Sequence, residues 1–144
     1  MRGCGDRMEA VQVRNDAAPK GFLLDTTALI DFFRGRAETA ALLDRLRDKA
    51  PLALCPITAA EVYAGAKEKE LPQVDAFLSV LAFYPITVEA SRRASRWRFS
   101  HAQKGITLNL SDALIAAVAV ENGLALVTRN GRHYPMDELL IVTH

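Results

Sequence analysis

The chain has 144 residues, half of them hydrophobic and 24% charged. That is one domain's worth of core-forming sequence, and it excludes a wholly disordered chain. Lys plus Arg is 18 against 17 for Asp plus Glu, a formal charge of +1, so a polybasic coater of nucleic acid is excluded and any such contact must come from a local patch.

Residues 1–20 carry mixed charge and no apolar run. They read as a flexible N-terminal extension rather than a secretory signal, with Met8 a candidate alternative start and Cys4 a tail residue. The domain is expected over 21–144. Phe22-Leu23-Leu24 is a short buried strand ending in Asp25. Thr26 to Arg34 reads as a helix stopped by Gly35. Ala37 to Lys49 is a second helix, with Ala40, Leu43 and Leu46 at spacing three and Leu42 widening the stripe. Asp31, six residues past Asp25, is expected to face elsewhere as a surface residue. Pro51 precedes the strand Leu52-Ala53-Leu54-Cys55. With no CxxC or Cys/His cluster, Cys55 reads as a small buried hydrophobe, and the low cysteine count fits a cytoplasmic protein.

Thr58 to Ala66 is the next helix, with Thr58 and Glu61 spaced as a capping box. Leu71 to Val80 follows, with Pro72 in its first turn, then a weak strand at Phe83-Tyr84-Pro85. Thr87 to Lys104 is a long helix ended by Gly105. It carries Arg92, Arg93, Arg96, Arg98 and Lys104 against a single acid, Glu89, with Ala94 and Trp97 expected to pack inward. Ser111 is the expected cap of a helix from Asp112 to Asn122 that is apolar nearly all round and belongs inside a packed layer. Its run Ala113–Val120 is the longest apolar stretch and too short to span a bilayer. Strands follow at Leu124–Thr128 and Leu139–Val142. Strands that are continuous apolar runs, alternating with helices, indicate an α/β fold whose mostly parallel sheet is covered on both faces.

Strand C-termini and the following helix N-termini share one edge of such a sheet, where ligands bind. Asp25, Glu61 and Asn130 fall at that rim, and Asp112 opens a helix. Three carboxylates at one rim repel each other, and a hard divalent cation relieves the repulsion. Such an ion also generates a nucleophile from water and stabilises charge on a phosphoryl oxygen. No GxGxxG or GxxxxGK[ST] loop is present to hold a nucleotide. Each acid also has an ordinary use, as cap, turn or helix-dipole partner. Asp25 directly after Phe-Leu-Leu and Asp112 directly before Ala-Leu-Ile-Ala-Ala are nevertheless costly unless paired or metal-bound.

The segments Leu24-Asp25-Thr26-Thr27-Ala28-Leu29-Ile30-Asp31, Ile57-Thr58-Ala59-Ala60-Glu61-Val62-Tyr63-Ala64-Gly65, Asp112-Ala113-Leu114-Ile115-Ala116-Ala117 and Leu126-Val127-Thr128-Arg129-Asn130 resemble, in order, the four motifs of PIN-domain ribonucleases. More narrowly, they resemble the VapC toxins of toxin–antitoxin pairs. The resemblance implies a three-layer α/β/α PIN fold and RNA cleavage dependent on Mg²⁺ or Mn²⁺. It further implies a cognate antitoxin that blocks the toxin, and a homodimer. Asp25, Glu61 and Asp112 carry over as catalytic and metal-binding acids. Thr26 and Asn130 carry over as supporting polar residues. His133 stands where many members have another acid, which puts a second ion in doubt. Arg129 and Arg132 beside the rim, the Arg92/Arg96 face and His133 are the candidate RNA contacts. Two other readings stay open: a PIN-like module that binds RNA or a partner without cutting, and a phosphatase using Asp25, for which the usual second Asp is replaced by Thr27.

Overall fold

The computed structural model describes residues 11–12 and 18–144. The expected extension over 1–20 lies largely outside the described residues. Within it, Val11–Gln12 form a short strand, β1. The other strands are β2 (Phe22–Leu24), β3 (Leu52–Leu54), β4 (Ala82–Phe83), β5 (Ala125–Thr128) and β6 (Leu140–Thr143). The helices are α1 (Thr26–Phe33), α2 (Ala37–Arg47), α3 (Pro56–Gly65), α4 (Leu71–Leu78), α5 (Val88–Ala102) and α6 (Leu110–Asn122). Sheet order is β1-β6-β5-β2-β3-β4. Strands β2 to β6 run parallel, and β1 adds an antiparallel edge through Val11↔Val142.

Each central strand divides its side chains between two cores, which is why no strand alternates in polarity. Leu23, Ala53, Leu126 and Ile141 face α5 and α6, with Trp97, Ile115 and Met136. Phe22, Leu24, Leu54, Val127 and Val142 face α1 to α4, with Leu29, Leu43, Leu46 and Val74. The expected α/β/α layering is therefore realised. Among the described residues no helix is long and apolar enough to cross a membrane.

Chain order fixes where a crevice opens. From β2 the sheet grows through β3 and β4 on one side, while β5 and β6 lie on the other. The C-terminal ends of β2 and β5 therefore meet at the switch point, where α1 leaves β2 and the turn Gly131–His133 follows β5. Leu24 pairs with Val127 there, and the Asp25 N–H donates to the Val127 carbonyl at 3.1 Å. Gly123 closes α6 at φ 68°, a left-handed backbone that costs a side-chain-bearing residue about 1–2 kcal/mol. Its carbonyl accepts from the Lys20 N–H at 2.8 Å, tying the approach to β2 onto the end of α6.

Two helix starts differ from expectation. Pro56 begins α3 with Cys55 as its cap residue, because proline's fixed φ suits the first helical position. Thr58 thereby falls inside the helix and is buried, no Thr58/Glu61 capping box forms, and Glu61 is released for other contacts. Asn109, not Ser111, caps α6: its side chain accepts from the Asp112 N–H at 3.2 Å. Asp112 is thereby held in the first turn of α6, where the helix dipole favours a negative charge.

Candidate active site

Asp25 leaves the end of β2 and is almost fully buried, at 3% exposure. Its Oδ1 caps α1, accepting from the Ala28 N–H at 3.0 Å and from the Thr27 hydroxyl at 2.7 Å. Both donors act on one oxygen, so Oδ2 is left to face the crevice. The Tyr134 hydroxyl approaches Oδ2 at 3.5 Å and Asp112 Oδ1 at 3.3 Å. Glu61 is exposed on the next helix over and accepts a short hydrogen bond from the Thr26 hydroxyl. Asp25, Glu61 and Asp112 line one pocket with Thr26, Asn130 and His133. Its volume of about 60 Å³ suits an ion with water rather than a nucleotide.

The charges in this pocket are unbalanced. Among the described residues no Lys or Arg pairs with Asp25, Glu61 or Asp112, and His133 Nδ1 stands 4.0 Å from Asp112 Oδ2. Burial pushes the Asp112 carboxyl above its ordinary range. The Asp25 and Glu61 charges add to that, while Tyr134 and His133 oppose it. Burial, then the neighbouring carboxylates, push the Tyr134 phenol far up, so it remains a proton donor. Among the described residues no three Asp, Glu, His or Cys donors close into a ready-made cage. Three hydroxyls hold the acids at one rim, Thr26 on Glu61, Thr27 on Asp25, and Tyr134 between Asp25 and Asp112. This all-oxygen donor set, short of positive charge, fits a hard divalent cation that keeps several of its waters.

The remaining candidates divide by location. Asn130 follows β5, its N–H donates to the Thr128 hydroxyl oxygen at 3.0 Å, and the residue lines the pocket wall. His133 and Arg132 are exposed beside it. Arg129 is committed elsewhere: its guanidinium meets both oxygens of Asp31, at 2.6 and 2.8 Å. Asp31 is not a surface residue but 2% exposed. The six-residue spacing does turn it away from Asp25, but onto a second buried side of α1, where Arg129 and Arg36 balance its charge. Arg92 and Arg96 line a separate groove with Glu121 and Glu138. Glu121 is at the far end of α6 from Asp112, about 14 Å away at 1.5 Å per residue, so these arginines do not converge on the acids. Sequence reasoning missed Tyr134. An isolated tyrosine carries no signal of a partner, and its acids lie 109 and 22 residues away.

Acids from the end of β2, the middle of α3 and the first turn of α6 thus meet in one pocket of a parallel α/β/α fold. The chain matches the PIN domain family over residues 22–139 and belongs to it. It is 36% identical over 119 residues to Ribonuclease VapC19 of Mycobacterium tuberculosis (strain ATCC 25618 / H37Rv), covering 79% of this chain and 92% of that protein. Ribonuclease VapC10 of the same strain is 35% identical over 122 residues, 82% of this chain and 89% of that protein. A toxin-antitoxin complex from Klebsiella pneumoniae superposes with a TM-score of 0.70 at 31% identity, over 84% of this chain and 95% of the matched chain. Divalent-metal dependence is general among PIN-domain ribonucleases, and the pocket chemistry agrees with it.

Proposed function

We propose that this chain is the toxin of a toxin–antitoxin pair, an endoribonuclease that hydrolyses RNA phosphodiesters with Mg²⁺ or Mn²⁺. The observation that carries this reading is the meeting of Asp25, Glu61 and Asp112 in one small pocket where, among the described residues, no Lys or Arg neutralises them and His133 is the one basic group at the wall. Asp25, Glu61 and Asp112 would hold the cation. When bound, it supplies an activated water and charge stabilisation at the scissile phosphate. The residues divide the remaining work. Thr26 fixes the Glu61 carboxylate, and Tyr134 keeps Asp25 and Asp112 facing the same space. Asn130 offers an uncharged amide at the pocket wall. Arg132 and His133, exposed at the rim, are placed to meet the flanking phosphates. Arg129 serves this surface less directly, since its charge is neutralised by Asp31.

The likeness to VapC proteins and to a toxin–antitoxin complex supports an antitoxin as protein partner; a homodimer as the working assembly is a further part of the proposal. The test is cleavage of end-labelled RNA by the antitoxin-free chain with Mg²⁺, Mn²⁺ or EDTA. Cleavage is expected with either ion and abolished by EDTA. Asp25→Asn should reduce the rate by on the order of a hundredfold, since it removes a charged ligand of the cation while leaving Oδ1 able to cap α1. Retention of RNA without products in both metals would favour the non-cleaving module instead.

A further inference from the structure

We propose that Asp31, outside the pocket, is a positioning residue for Asp25, acting through Arg129 and Thr27. This rests on the metal-site reading above and deepens it. Asp31 is buried in the last turn of α1 and grips the Arg129 guanidinium through both carboxylate oxygens. Arg36 Nε lies 3.2 Å from the same carboxylate and His144 Nδ1 3.8 Å from it. The Arg129 backbone N–H, at the end of β5, donates to Thr27 Oγ1 at 3.1 Å. Thr27 then donates its own proton to Asp25 Oδ1 at 2.7 Å.

Direction matters in this chain. A hydroxyl has one proton to give and lone pairs with which to accept. Because Thr27 accepts from Arg129, its proton is aimed at Asp25, and successive bonds polarise one another. Asp25 Oδ1 therefore has two donors, Thr27 and the Ala28 N–H, and Oδ2 is the oxygen left for the pocket. The Asp31–Arg129 pair sets the distance between α1 and the end of β5 on which this depends. A buried ion pair adds little net stability over apolar packing; a fixed separation is what it does supply.

Mn²⁺ affinity, read from loss of the free-ion paramagnetic resonance signal, tests the proposal alongside melting temperature. Asp31→Asn and Thr27→Val should each weaken Mn²⁺ binding about tenfold, equivalent to one lost hydrogen bond to a charged group at 1.4 kcal/mol per tenfold. Because both act on one chain of contacts, the double variant should bind about as weakly as either single one. Thr27→Ser, which keeps the hydroxyl, should stay within about twofold of wild type. Wild-type Mn²⁺ affinity in Asp31→Asn, with only a lowered melting temperature, would overturn the proposal and leave the pair as a simple staple. Additive losses in the double variant would also overturn it. If Asp31→Asn does not fold, Arg129→Gln breaks the same pair from its exposed side and carries the same expectations. Failure of the underlying reading has a different signature: no Mn²⁺ binding by wild type, or unchanged binding by Asp25→Asn, removes the metal site and this proposal with it.

Discussion

Replacing Tyr134 with Phe removes one hydroxyl and little else, so it isolates what that group does between the two acids. Tyr134 is 4% exposed and Asp25 3%, so water does not readily replace the lost donor. The contacts of 3.3 and 3.5 Å are long for O–H···O bonds, and one proton serves both acceptors. A hydrogen bond to a charged group contributes about 1.5–3 kcal/mol at good geometry; at this length and shared, about 1–2 kcal/mol is expected. For a domain of this size that is a fall of roughly 3–8 °C in melting temperature. The fall should appear in EDTA and shrink when Mg²⁺ is added, because a bound cation neutralises the same oxygens. Thermal unfolding followed by circular dichroism, with and without Mg²⁺, measures both. An unchanged melting temperature in EDTA, or an equal loss with and without Mg²⁺, would refute the view that Tyr134 holds the carboxylates together in place of an ion.

The Asp112 carboxyl has a raised folded-state pKa, so the unfolded chain loses this proton first as pH rises and the site costs stability above about pH 4, the ordinary carboxylate value. Asp112→Asn should therefore raise the metal-free melting temperature at neutral pH, with the gain vanishing in acid; a gain that grows toward low pH would contradict this. Metal affinity should fall with pH over the same range, measurable by titration calorimetry, since the ligating form is the deprotonated one. Cys55 is fully buried and its thiol is pushed up by that burial, so in a Cys4→Ser background a thiol reagent should label the native protein far more slowly than the denatured one. Gly123→Ala should cost about 1–2 kcal/mol in denaturant unfolding, because alanine must adopt the left-handed backbone at the end of α6.

The central strands were legible because burial on both faces writes an unbroken apolar run into the sequence, as at Phe22–Leu24 and Ala125–Thr128. The strand at Val11–Gln12 left no such mark: two residues in a mixed-charge segment carry no period. Asp25 and Asp112 were legible as acids abutting apolar runs, where an unpaired charge is costly. Asp31 was not, since its partner Arg129 is 98 residues away and spacing along one helix says nothing of a guanidinium arriving from another strand. Caps were misplaced for a local reason. The cap positions are Cys55, three residues ahead of Thr58, and Asn109, two ahead of Ser111, and several competing start signals lie within one turn.

The three acids do not stand on equal footing. Asp25 is locked by a helix start and buried, and Asp112 projects from α6, whose next residues are sealed into the core. Shifting either would drag packed side chains with it. Glu61 sits exposed on α3, secured by a single hydroxyl. Fitting ions of unequal radius, or making way for an arriving strand of RNA, therefore costs least at Glu61: the pocket has two fixed jaws and one that slides.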